Sequence, residues 1–277
     1  MQSQHNHKLG LHMRGNQRRV HMRSMRQGIE MLGLINAPTR AGLMADLEAR
    51  LADEQGFTLA TMNLDHLVKL RADATFRAVY AHHSHVVADG LPVAWLRQLA
   101  GSPVELVPGS DLVGPLMALA ARLGVPVAFV GATEATLATA AARLEAAHAG
   151  LRVVARIAPP FGFDPEGPEG AAVIDALAAS GARLCILALG APRQESLAVR
   201  AAEILPGCGF ASLGAGLDFI AGRQRRAPAS VRRLGMEWFW RLLTDPRRLT
   251  LRYARCALLL PELAWQAVYL RDTGRRH

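Results

Sequence analysis

Cysteine is scarce in this chain: three residues in 277, Cys185, Cys208 and Cys256, with no CxxC pair among them. So odd and sparse a set excludes a disulfide scaffold, suits a reducing compartment and reads as buried, inert thiols. Long apolar runs are missing too. The best candidate, residues 256–270, is interrupted by Pro261, Glu262 and Gln266, whereas a membrane-spanning helix needs about 18 or more apolar residues in a row. Neither GxGxxG nor GxxxxGK[ST] occurs, which removes the dinucleotide fingerprint and the P-loop. No DxD occurs, so the carboxylate pair that commonly holds a metal on a nucleotide-sugar is absent. Acidic residues are absent from the first 28 positions, which carry six Lys/Arg and four His.

What is present is divided along the chain. Residues 29–221 hold 13 basic and 19 acidic side chains, and residues 222–277 hold 13 Arg against four acids. The formal charge of +9 therefore hides an acidic body between basic ends, and basic ends favour anionic partners. Three segments follow: a disordered basic tail over residues 1–28, an α/β body over 29–221, and a helical Arg/Trp-rich segment over 222–277 that holds three of the four Trp.

The body alternates short β-rich runs with segments of helical periodicity. The runs lie at 31–35, 57–63, 85–89, 126–131, 151–157, 183–190 and 209–214. Such alternation predicts βαβ units, and runs apolar almost throughout predict strands covered on both faces of a mostly parallel sheet. In open sheets of this kind ligands sit beyond the carboxyl ends of the strands. There the sequence places Thr61 and Asn63, Asp89-Gly90, Gly131, Gly190 with Gln194 and Glu195, and Gly214 with Asp218. Glycine turns allow close backbone approach to a phosphate, although tight βα turns use glycine regardless. Asp89 ends an apolar run, so it is either a partly desolvated base or the cap of the next helix. Thr61 and Asn63, two apart, face one side of a strand or close it as a turn. Asp65-His66 is discounted as a dyad, since adjacent helical residues diverge. Arginines of the C-terminal segment suit a phospholipid surface or a diphosphate. Nucleic acid is disfavoured by the lack of any recognisable RNA- or DNA-binding pattern.

TMNLD, ADGLPV, VPGSDL, FVGAT, LGAPRQE, GAGLDFIAG, RAP and EWFWRLLTDPRRL follow one another over roughly residues 31–255. The ordered set resembles the WecG/TagA/CpsF family of bacterial glycosyltransferases. The resemblance implies a Rossmann-like α/β body with a helical C-terminal appendage that docks on the cytoplasmic face of the membrane. It implies inverting, metal-independent transfer from a UDP-sugar, with no other cofactor, to a polyprenyl-diphosphate-linked saccharide in cell-surface polymer synthesis. By residue, Asp89 would be the base and Thr61 would stand near the reacting groups. Asn63, Gln194, Glu195 and Asp218 would hold the donor, with Gly131, Gly190 and Gly214 near its phosphates. Arg226, Arg232, Arg241, Arg247 and Arg248 would neutralise a diphosphate, and Arg193 is a candidate for a charged uronate donor. Membrane docking is expected to compete with homo-oligomerisation through the appendage. The rival readings are a non-catalytic membrane scaffold of the same fold and a nicotinamide-dependent dehydrogenase, the latter opposed by the missing GxGxxG. The chain departs from the family pattern at Ser230, after RAP, and at Trp240, where a Tyr is usual.

Overall fold

The computed structural model describes residues 28, 30–224, 226–228, 230–231 and 237–274. The tail expected over 1–28 lies outside the described residues except for residue 28. In chain order the elements are α1 (Arg40–Ala52), β1 (Phe57–Met62), α2 (Leu64–Ala72), α3 (Ala74–Ala81), β2 (His85–Ala88), α4 (Leu91–Leu99) and α5 (Gly109–Leu123). Then come β3 (Val127–Gly131), α6 (Glu134–Ala147), β4 (Val153–Ile157), α7 (Pro168–Ser180), β5 (Leu184–Ala188) and α8 (Arg193–Ile204). The chain continues through β6 (Gly209–Ser212), α9 (Gly216–Ala221), α10 (Glu237–Thr244) and α11 (Pro246–Gly274).

The strands form one sheet in the order β2-β1-β6-β5-β3-β4, and every neighbouring pair is parallel. Side chains alternate across it as the pleat requires. Leu59, Val87, Phe129, Ile186 and Ala211 point to one face, where α1, α5, α6 and α9 cover them. Ala60, Met62, Val86 and Ala88 point to the other, under α2, α3, α4 and α11, and Val130, Cys185, Leu187 and Phe210 meet α7 and α8 on that same face. Both faces are dry along β1, β2, β3, β5 and β6, which is why those runs read as continuously apolar, whereas edge strand β4 leaves Val154 and Arg156 exposed. Polar side chains start the helices: Thr39, Asn63, Asp73 and Thr133 each accept a hydrogen bond from a first-turn backbone N–H.

The run at 31–35 is a correction. Residues 30–33 are helical, and Met31, Leu32 and Ile35 enter the core beside α2, α3 and α4. Five apolar residues satisfy either period, and the spacing of Met31 and Ile35, one turn apart with exposed Gly33 between, is the helical one.

The C-terminal segment folds back on the body. Cys256, Leu259, Leu263 and Ala267 of α11 are buried, and α11 packs along α2 and α4. Pro246 opens this helix directly after Asp245, as DPRR predicts. No helix among the described residues is long and apolar enough to cross a membrane.

Candidate active site

Because all six strands run parallel, their carboxyl ends share one rim. Along it lie, in sheet order, Asp89 after β2, Asn63 after β1, Gly214 after β6, Gly190 after β5 and Gly131 closing β3. The onward connections from β3 and β5 run in opposite directions, to edge strand β4 and to β6 respectively. Neighbouring strands of that kind open a crevice, the usual ligand position in such sheets.

Asp89 sits at the β2 end of the rim. Its backbone N–H donates to the Met62 carbonyl at 2.7 Å, which extends the β1–β2 pairing one residue past β2. Gly90, not Asp89, is the N-cap of α4, so the capping alternative for this carboxylate does not hold. Asp89 is half-buried. Asn63, which follows β1, borders the same turn: a Cβ placed on Gly90 would stand 4.0 Å from the Asn63 Cβ. The Asn63 amide oxygen accepts from the His66 N–H at 3.1 Å and caps α2.

Thr61 lies beneath the rim. It is buried, and its hydroxyl donates to the Ser212 carbonyl at 3.3 Å, joining β1 to β6. The backbone at Gly109, which opens α5, rests on it: a Cβ there would stand 3.0 Å from Thr61 Oγ1. Thr61 therefore sets the seat of α5 against the strands.

At the crevice, Gly131 has φ +115°, and a Cβ on it would stand 2.4 Å from the Ala188 carbonyl oxygen. Only glycine fits so close a crossing of β3 and β5. Ala132 follows with φ +51°, a rare conformation for a non-glycine residue, and its N–H is held by that same Ala188 carbonyl at 3.1 Å. On the other bank Gly190 turns with φ +74°, and its N–H donates to Gln194 Oε1 at 3.2 Å. Gln194 Nε2 in turn donates to Glu195 Oε1 at 2.8 Å. Both side chains are buried, Glu195 completely. They shape the turn from inside and do not stand open on the rim. Burial drives the Glu195 carboxyl up to about 7. Its second oxygen, Oε2, is buried without a hydrogen-bond partner. Arg193 is exposed on the first turn of α8.

Beyond β6, Asp218 on α9 accepts from Gln224 Nε2 at 3.5 Å, and its carbonyl holds the Arg223 N–H. Arg223 Nη1 reaches Thr133 Oγ1 at 3.1 Å. Arg226 donates to Ser110 Oγ at 2.8 Å and pairs with Asp111, so it binds the first turn of α5. Arg247 is exposed at the start of α11. Arg232 lies outside the described residues, as do the side chains of Arg241 and Arg248. The rim thus gathers Asp89, Asn63, three glycine turns, Asp218 and Arg226, while Arg247 belongs to the packed helix beyond α10.

The structure adds side chains that no motif marked. The Tyr80 hydroxyl lies 3.0 Å from His66 Nδ1, both rings fully enclosed. Burial holds His66 at about 3 and pushes Tyr80 well up, with the negative charges of Glu195 and Asp89 adding to the latter. Asp65 turns away from His66, as helix geometry requires, toward Lys69 at 2.8 Å and Arg252 at 3.1 Å. Among the described residues no three His, Cys, Asp or Glu side chains gather as a metal-binding group.

A parallel sheet with a carboxylate at one end of its rim and glycine turns along it fits a group transfer from a phosphate-bearing donor. The family model for the WecG/TagA/CpsF glycosyl transferases matches residues 29–275. The chain belongs to this family. As a WecG/TagA/CpsF glycosyltransferase it takes a sugar-nucleotide donor and a glycan acceptor in cell-surface polymer synthesis. The match runs through α10 and α11, so the Arg-rich helices belong to the glycosyltransferase together with the sheet.

Proposed function

We propose that the chain transfers a sugar, with inversion at the anomeric carbon, from a UDP-sugar to a polyprenyl-diphosphate-linked saccharide for exopolysaccharide, capsule or another surface polymer. The placement of Asp89 carries this reading: a half-buried carboxylate beside Asn63, at one end of a rim whose other turns are built on glycine. In the proposed step Asp89 takes the proton of the acceptor hydroxyl as that oxygen bonds to the anomeric carbon. The bond from that carbon to the UDP oxygen breaks, and the charge develops on the diphosphate. The helix N-termini that follow Gly131, Gly190 and Gly214, with Arg226 nearby, supply the stabilisation. The reading needs the donor alone, without a metal or other cofactor.

A lipid-linked acceptor calls for a surface that meets the bilayer, and α11 supports one. Leu251, Leu258 and Trp265 recur every seven residues and are 63%, 81% and 49% exposed. They lie on the side of α11 away from Leu259, Leu263 and Ala267, which pack inward. An apolar groove of about 420 Å³, lined by Leu91, Trp95, Trp238 and Leu260 among others, begins directly after Gly90. Exposed Arg247 and Arg271 stand toward the two ends of the helix. Apolar side chains flanked by arginine suit an anionic leaflet, so we place the enzyme peripherally on the cytoplasmic face of the membrane.

The test is UDP release with a panel of UDP-sugars and a short-chain polyprenyl-diphosphate saccharide. Acceptor-dependent release from one donor is expected, falling about 10²- to 10⁴-fold in Asp89→Asn with Tm unchanged. Absence of release from every donor, with vesicle binding retained, would replace the enzyme with a membrane scaffold of the same fold.

A further inference from the structure

We infer that Lys69 is a positioning residue that ties the glycine turn after β5 to the C-terminal helix, so that the seating of α11 sets the affinity for the donor nucleotide. The inference rests on the reading above in one respect, that this turn faces the donor.

The chain of contacts is short and crosses three elements. Lys69, on α2, donates from Nζ to the Ala191 carbonyl at 2.9 Å. The same ammonium stands 2.8 Å from Asp65 Oδ2, one helical turn earlier. The other oxygen of that carboxylate, Oδ1, lies 3.1 Å from Nε of Arg252 on α11. Asp65 is only 12% exposed and stands within ion-pair distance of two cations from two helices, one at each oxygen, its Oδ2 and the Arg252 Nε making no hydrogen bond. Ala191 lies between Gly190 and Pro192 in the turn that leads into Gln194 and Glu195.

The consequence follows from where each bond acts. The Gly190 end of the turn is held from within by Gln194 of α8, and the Ala191 carbonyl is held from outside by Lys69. A hydrogen bond from a full charge is stronger than one between neutral groups, and here it fixes the plane of a peptide beside the crevice. Lys69 and Arg252 are each about one-third exposed, 35% and 36%, and ion pairs so placed add little to global stability. Loss of either is therefore felt in the turn more than in the fold. Arg252 acts through Asp65 by charge: when α11 is seated, its guanidinium attracts the carboxylate that also attracts Lys69, and so biases where the Lys69 ammonium sits. A surface that moves α11 thereby reaches the donor turn without touching it.

The experiment uses the full chain and two readouts. Hydrogen exchange of the peptide spanning residues 187–195 reports the turn directly, and calorimetric titration with UDP reports its use. In Lys69→Met, exchange in that peptide is expected to rise about tenfold, UDP affinity to fall about tenfold and kcat at saturating donor to hold, with Tm nearly unchanged. Lys69→Arg restores both readouts, because a guanidinium spans the same carboxylate and carbonyl. Arg252→Met gives a smaller shift in the same direction and adds nothing to Lys69→Met, as a shared path requires. Unchanged exchange at 187–195 in Lys69→Met overturns the inference, as does an additive double variant or a loss of affinity that only follows a drop in Tm. If UDP fails to bind the wild type, the donor reading falls, while the exchange result still decides the positioning role.

Discussion

Gly131 carries more of this site than its size suggests. Its Cα stands where β3 crosses closest to β5, and a methyl group there would meet the Ala188 carbonyl at 2.4 Å. Gly131→Ala must push the strands apart or twist the turn that Ala132 completes. Strain of that kind at a positive φ costs roughly 1–3 kcal/mol, and the backbone clash adds to it. The expected outcome is a lower denaturant midpoint together with loss of UDP binding. A variant that loses stability and still binds UDP as the wild type does would remove this bank of the crevice from the donor site. Thr61 belongs to the same scale. Thr61→Val keeps the shape, deletes the bond to Ser212 and leaves that carbonyl buried, at a cost of about 1–3 kcal/mol. Its effect on kcat should stay well below that of Asp89→Asn, since the hydroxyl faces the strands and not the open rim.

Among the elements, the sheet was legible and the docking of α11 was not. Five of the seven β-rich runs end in the rim residues, and parallel order alone sends those ends to one edge. That is why Asp89, Asn63, Gly131, Gly190 and Gly214 are readable in the sequence. The burial of Gln194 and Glu195 was not, because polar residues after a glycine turn look the same whether they face the crevice or the strand behind it. Lys69, Tyr80 and Arg252 left no local signal, since a helical side chain's partner depends on which distant helix packs beside it. The segment 31–35 misled because five apolar residues satisfy either period. The helix α11 shows what periodicity does carry once the packing is known. Leu263 is 1% exposed and Leu258 is 81% exposed, on different sides of one helix. Leu263→Ala should cost about 2–5 kcal/mol and loosen α11 from α2 and α4. Leu258→Glu should leave the denaturant midpoint in place and weaken cosedimentation with anionic vesicles. Equal vesicle binding in Leu258→Glu would take this face of α11 away from the membrane.

Taken as a whole, the molecule encloses titratable groups of opposite tendency, and their balance sets its pH range. His66 and His83 are buried and held at about 3 and about 4 by loss of solvent, against 6.5 when exposed. Below pH 6.5 the unfolded chain takes up protons that these folded rings refuse, so stability falls as pH falls from there. His85, also lowered by burial, works in the same direction. Glu195 does the reverse. Its folded carboxyl keeps a proton up to about 7 that the unfolded one releases near 4.5, so its contribution declines as pH rises between those values. Between about 4.5 and 6.5 the two enclosed histidines outweigh the one carboxyl and stability climbs with pH; from 6.5 to about 7 the carboxyl acts alone and stability declines. The melting temperature of the wild type should therefore peak near pH 6.5. Glu195→Gln keeps an acceptor for the Gln194 amide and removes the buried charge, a relief of roughly 3 kcal/mol above pH 7. Its melting temperature should stay level from pH 6.5 to 8 and exceed that of the wild type at pH 8, while the two proteins converge near pH 4.5. A wild type and variant that melt in parallel across this range would mean that Glu195 is ionised in the fold, stabilised by Lys69 across the turn.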